Sequence, residues 1–228
     1  MHSLLRTPST WSARSAIVLV LSLSIASCAS SPTAPGGGYD SLYPRPATDR
    51  PLVAYFYAST SGSASSPVGI HLLNTSTHAD ALVFPGSVNG YDWIPGTDTL
   101  IVTTHNQIIA LATSSLARKT IANAAAINCR VSSDGTKVAF DAEGASGPVV
   151  YVFNRLSGVI ANVTPDSMLY QFPAWVGPTD QLLVVGTSPT GSGLYFLTPG
   201  GQPRRRLTAS NVGTGYPFTS AACFPLPR

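Results

Sequence analysis

The chain has 228 residues, enough for one or two domains, with 44% hydrophobic residues against only 10% charged ones. That balance supports a packed core and excludes a wholly disordered chain. The formal net charge is +3, but Arg6 and Arg14 fall in an N-terminal targeting segment, and the rest carries an excess of one positive charge. This excludes the electrostatic footprint of a nucleic-acid binder. With 20 glycines and 19 prolines spread along it, the chain favours many turns over long helices.

Residues 1–28 read as three zones. A polar stretch from Met1 to Arg14 precedes the apolar run AIVLVLSLSI, Ala16–Ile25. At about 10 residues the run is too short for a bilayer core, which needs ~20, and suits the apolar region of a signal peptide. Ile25-Ala26-Ser27-Cys28 then places small residues before a cysteine. This tetrapeptide resembles the bacterial lipobox. The resemblance implies a signal peptide over 1–27, cleavage before Cys28 and a diacylglyceryl group on its thiol. Several acyl chains at ~0.8 kcal/mol per buried CH₂ would make a permanent membrane anchor. Ala29 stands where an aspartate tends to signal inner-membrane retention, so the pattern is similar to outer-membrane-sorted lipoproteins of hosts with two membranes. The expected location is the cell membrane or outer membrane, with the folded part exported. Residues 28–50 are rich in Ser, Pro and Gly and read as a flexible tether, with Tyr39 and Tyr43 as the residues that could pack on the domain and order its tail end. The folded domain is expected over 51–228.

From Leu52 onward, short apolar runs alternate with turn signals: LVAYFYA (52–58), GIHLLN (69–74), TLIVTT (99–104), QIIALA (107–112), KVAFDA (137–142), VVYVFN (149–154), QLLVVG (181–186) and GLYFLT (193–198). Each has strand length and is rich in Val, Ile, Leu, Tyr or Phe. They recur in units of about 40 residues, the period of propeller blades. Each unit opens with a short strand, then a turn at GTD, SDG or PTD, a hydrophobic strand, a second turn, and two further strands.

Pro173-Ala174-Trp175 at the opening, Ser133-Asp134-Gly135-Thr136-Lys137-Val138-Ala139-Phe140 across the turn, and Leu207-Thr208 at the close carry a nameable pattern. It resembles the blade repeat of TolB-type β-propellers. The repeat is degenerate, and Val131 stands where the opening strand of its unit should carry an aromatic. The resemblance implies an all-β propeller of about four blades, closed as a ring or left partial and completed by a second copy in a homodimer. The first unit lacks an opening strand, and Tyr216-Pro217-Phe218 reads as the C-terminal strand that closes it. A β-sandwich is the alternative fold.

No G-x-S-x-G occurs, so no nucleophile elbow is expected. His71, His78 and His105 have no Cys or carboxylate at ligand spacing and read as turn or surface residues, with no metal. Asp98, Asp134 and Asp180 recur in the turns and read as structural turn carboxylates. Arg204-Arg205-Arg206 reads as a solvated strand edge. Cys129 and Cys223 form an even pair and are a candidate disulfide in an oxidising compartment. Trp93 and Trp175 read as packing between blades.

The expected function is a membrane-tethered, non-catalytic scaffold that binds an envelope protein or peptide, with no cofactor. Tyr91, Tyr170 and Tyr216 are the candidate contacts. Two alternatives stand beside it: a small-ligand or carbohydrate-binding propeller, and a propeller hydrolase or lactonase using Asp92 and Asp141 at the channel mouth.

Overall fold

A computed structural model describes residues 39–59, 67–164, 168–189, 191–198 and 202–207. These belong to a compact unit spanning Gly36–Arg228. Among the described residues there are sixteen strands and no helix. The strands form four antiparallel sheets, each a meander of four consecutive strands. Sheet 1 holds β1 (Tyr39–Pro46), β2 (Leu52–Ser59), β3 (Gly69–Asn74) and β4 (Asp80–Pro85). Sheet 2 holds β5 (Gly90–Trp93), β6 (Thr99–Thr103), β7 (Ile108–Ala112) and β8 (Arg118–Ala122). Sheet 3 holds β9 (Ile127–Val131), β10 (Lys137–Gly144), β11 (Gly147–Asn154) and β12 (Ile160–Asn162). Sheet 4 holds β13 (Leu169–Trp175), β14 (Leu182–Ser188), β15 (Gly191–Thr198) and β16 (Gln202–Arg206).

Each repeat is therefore one sheet, and the sheets stack face on face as blades do. Side chains alternate across a strand, so a blade between two others must bury both faces. Leu100 and Val102 of β6 pack toward sheet 1, while Ile101 between them packs toward sheet 3. Likewise Val138 and Phe140 of β10 face sheet 2, and Ala139 faces sheet 4. This explains the unbroken apolar runs. Three core clusters result, joining sheets 1 and 2, 2 and 3, and 3 and 4. Among the described residues, no core cluster joins sheet 4 to sheet 1. Four sheets with separate hydrogen-bond ladders and three cores set aside the β-sandwich, whose two sheets share one core.

The turn between the first and second strand recurs with the same hydrogen bonds. Ile94 N–H bonds Thr99 O, Ser132 N–H bonds Lys137 O, and Val176 N–H bonds Gln181 O, at 2.9 to 3.0 Å. The aspartates do not share one slot in it. Asp134 lies two residues after Ser132, whereas Asp98 and Asp180 stand just before the second strand. Asp134 accepts from Ser132 Oγ at 2.6 Å and from Thr136 N–H at 3.0 Å, and these bonds hold its carboxyl at a pKa of about 2. Asp98 accepts from Ser114 Oγ of the next hairpin. Asp180 reaches Lys137 of the preceding blade at 2.5 Å. All three are structural. Gly135 takes φ +72°, a value costly for other residues.

Two expectations about the ends change. The opening place of sheet 1 is filled by β1, from the N-terminal side, and the C-terminal strand is not needed there. The tether expected through residue 50 therefore gives way to strand by residue 39. The YDSLYPRP segment hides its strand character behind Pro44 and Pro46. Proline is tolerated because β1 is an edge strand bonded only to β2, and its register shifts between Leu42 and Arg45, where Pro44 sits. Cys28, Tyr216, Cys223 and residues 208–228 lie outside the described residues.

Candidate functional site on the opening strands

The opening strand of every sheet bonds to a single neighbour, so these four strands form one edge of the whole blade series. Pairing with the second strand aligns them. Arg45 pairs with Ala54, Asp92 with Ile101, Arg130 with Ala139 and Ala174 with Leu183, which places these four residues at one level. One residue further on stand Pro46, Trp93, Val131 and Trp175.

That second level ties the blades together. Trp93 is buried and its indole N–H donates to Arg45 O of the preceding sheet at 2.8 Å. Trp175 repeats the bond, donating to Arg130 O at 3.0 Å. Both expectations of packing between blades are met. Val131 has no side-chain donor, and its seam is tied differently. Asp92 Oδ2 accepts from the Val131 backbone N–H at 2.8 Å, and Oδ1 from Trp93 N–H at 3.1 Å.

The first level therefore gathers two guanidinium groups and one carboxylate from three successive blades. Arg45 is only 8% exposed, and its Nε has no hydrogen-bond partner. Desolvation lowers its pKa, the neighbouring Arg130 lowers it further, and Asp92 opposes both. Burial pushes the Asp92 carboxyl up, against the pull of Arg130 and Arg45. Arg130 is half-buried and donates to Cys129 O at 2.6 Å. Among the described residues, neither arginine forms an ion pair with Asp92 within contact distance. A desolvated positive charge with an idle donor costs free energy in the fold.

A second carboxylate lies one pairing step away. Asp141 is 1% exposed; Oδ2 accepts from Asn128 Nδ2 at 3.2 Å, and Oδ1 has no partner. Burial pushes its pKa up to about 7. Asn128 sits at φ 47° in a bulge of β9, and Phe172 at φ 56° in the matching bulge of β13. Such conformations are strained for side-chain-bearing residues and re-aim the flanking side chains.

Several expected site residues stand elsewhere. Tyr91 is 3% exposed and Tyr170 fully buried, so neither is a partner contact. Their large rings fill the gaps between blades; Tyr91 Oη accepts from Phe56 N–H at 2.9 Å, and Tyr170 meets the Tyr195 ring edge-on. Cys129 is a buried free thiol, its pKa pushed up to about 12 chiefly by burial. His78 and His105 are exposed, as expected, but His71 is buried on β3. Its Nε2 lies 3.0 Å from Pro67 O and its Nδ1 3.3 Å from Asp80, which also accepts from Tyr55 Oη at 2.7 Å. The arginine level has no local signature in the sequence beyond the place of Arg45 and Arg130, each one residue before the position of a blade-opening aromatic. Among the described residues no group of three His, Cys, Asp or Glu side chains could hold a metal ion.

The architecture defines a class, a series of four-stranded β-propeller blades. No family model matches the chain, and no curated protein matches it. Among solved structures, TolB from Acinetobacter baumannii is similar at 18% identity and a TM-score of 0.62, over 75% of this chain and 44% of that one. A protein from Agrobacterium tumefaciens provisionally assigned as TolB matches at 14% identity and 0.56, over 69% of this chain and 61% of that one. An oligogalacturonate lyase in complex with manganese matches at 17% identity and 0.55, over 69% and 48%. The chain thus spans less than two thirds of the length of each. The likeness establishes the propeller fold.

Proposed function

We propose that this chain is an exported lipoprotein, anchored through Cys28, whose propeller blades bind a protein or peptide partner at the cell envelope. The observation that carries the binding role is the level of opening-strand charges. Arg45, Asp92 and Arg130 converge from three blades on one edge of the series, and Arg45 keeps a buried donor without a protein partner. The TolB-like neighbours favour a scaffold, while the lyase neighbour keeps a carbohydrate ligand as the competing outcome.

Crosslinking in intact envelopes, followed by purification of this chain, tests the reading. Recovery of a defined partner that is lost with Arg130→Gln supports it. Recovery of none, with binding on a sugar array, replaces it by the carbohydrate reading. The anchor is tested separately: Cys28→Ala should abolish lipid labelling and release the chain from membranes. Unchanged membrane association of that variant would sink the anchor.

A further inference from the structure

We infer that the Arg45–Asp92–Arg130 level is a binding site for a single carboxylate group carried by the ligand. The inference deepens the binding role proposed above and rests on it for its biological meaning. Three blades contribute one charged residue each at the same register position. The backbones are held there by short bonds: Trp93 Nε1 to Arg45 O at 2.8 Å, and Val131 N–H to Asp92 Oδ2 at 2.8 Å. The side chains are close enough that Arg45 and Asp92 each feel Arg130 and one another.

The carboxylate of Asp92 is already engaged. Each of its oxygens accepts a backbone N–H, so it neutralises one arginine at a distance without satisfying either guanidinium's donors. Arg45, nine-tenths buried, retains an unpartnered Nε. Arg130, half-buried, gives the level an accessible side. Two guanidiniums against Asp92 leave one positive charge wherever the nearby Asp141 carboxyl, raised to about 7 by burial and itself within the field of Arg130, keeps its proton. A ligand carboxylate supplies one negative charge and two acceptor oxygens in the plane a guanidinium fork prefers. A phosphate dianion would leave an uncompensated negative charge in the same desolvated place, which is costly.

The full chain in detergent micelles can be titrated while the arginine Nε–H resonances are followed by NMR. The probes are an amide-capped N-acetylglutamyl peptide with one free carboxylate, its glutamine counterpart, galacturonate and inorganic phosphate. The site predicts saturable shifts of the Arg45 and Arg130 resonances with a carboxylate probe and none with the glutamine peptide. Arg130→Gln should weaken binding about tenfold or more, as loss of a charge-assisted bond does. Asp92→Asn should strengthen it several-fold, since it removes the competing negative charge. A purely structural cluster would weaken or ignore both changes. If Asp92→Asn does not fold, Arg130→Gln, on a half-buried side chain, decides alone.

No shift with either carboxylate probe, tighter binding of phosphate, or unchanged affinity in Arg130→Gln would overturn the site. Saturation by galacturonate with none by the peptide keeps the carboxylate site and removes the protein-partner reading. A crosslinked protein partner with unmoved arginine resonances does the reverse.

Discussion

Two kinds of seam hold the blades together. Between sheets 1 and 2, and again between sheets 3 and 4, a tryptophan indole donates across the gap to a backbone carbonyl. Between sheets 2 and 3, where Val131 replaces the aromatic, the later blade still donates, but the side chain is now the acceptor: Asp92 accepts from the Val131 backbone N–H. The indole solution adds a large apolar area to a neutral hydrogen bond. The carboxylate solution places an acid whose pKa burial raises beside Arg45 and Arg130. The comparison teaches that a degenerate repeat can keep its geometry while changing its chemistry at one position. The place where the chemistry changes is also where charged groups gather.

Trp93→Ala should have the largest effect on these seams. Removing a buried indole should cost about 3–5 kcal/mol, and Trp175→Ala should cost less because Trp175 is only half-buried. Denaturant unfolding measures both; equal losses would mean that the two indole seams are not graded by burial.

The next effect is on pH. Burial raises the Asp141 carboxyl to about 7 in the fold, against an ordinary value near 4 when unfolded. The folded state therefore holds this proton more tightly. The Asp141 contribution to stability is fully present below about pH 4, is lost as pH rises through about 7, and levels off above it, a loss of roughly 2–4 kcal/mol; Asp134, held at about 2, acts with the opposite sign below pH 4. Asp92, raised by burial, acts with the same sign as Asp141. Asp141→Asn should flatten much of the profile and stabilise the chain at pH 8. Trp93→Phe should lower the whole profile without changing its slope. A flat profile in the parent chain would show that neither carboxylate is desolvated as described.

The smallest effect concerns Lys137 and Asp180, which cross the same seam as Trp175. The Asp180 side chain is 65% exposed, so Asp180→Ala should cost under about 1 kcal/mol, and the difference should vanish in high salt. A larger, salt-insensitive loss would give the ion pair a share of the seam now assigned to the indole.

Much of the fold was legible because its signals are local. The strand-length apolar runs, the recurring turn and the tryptophans each announce themselves within one repeat. Other features depended on distant partners. β1 is not legible in the sequence, because prolines and sparse apolar residues disguise an edge strand whose ladder is formed with β2. Tyr91 and Tyr170 read as surface contacts because aromatic residues near turns look alike whether they face solvent or the next blade. His71 read as a turn residue, yet Tyr55 and Tyr57 pack on its ring. The charged level was invisible because Arg45, Asp92 and Arg130 lie about 40 residues apart, and only strand register brings them to one height.

The amino-acid order alone determined that the chain repeats one antiparallel unit about four times, because alternation, turn chemistry and repeat length are properties of neighbouring residues; the described residues form four such sheets. Tertiary structure alone decided which strand opens the first blade, which aromatics are buried, and that Arg45 and Arg130 gather around Asp92. Those outcomes depend on which faces meet when blades stack, and stacking is set by the summed burial of whole sheets.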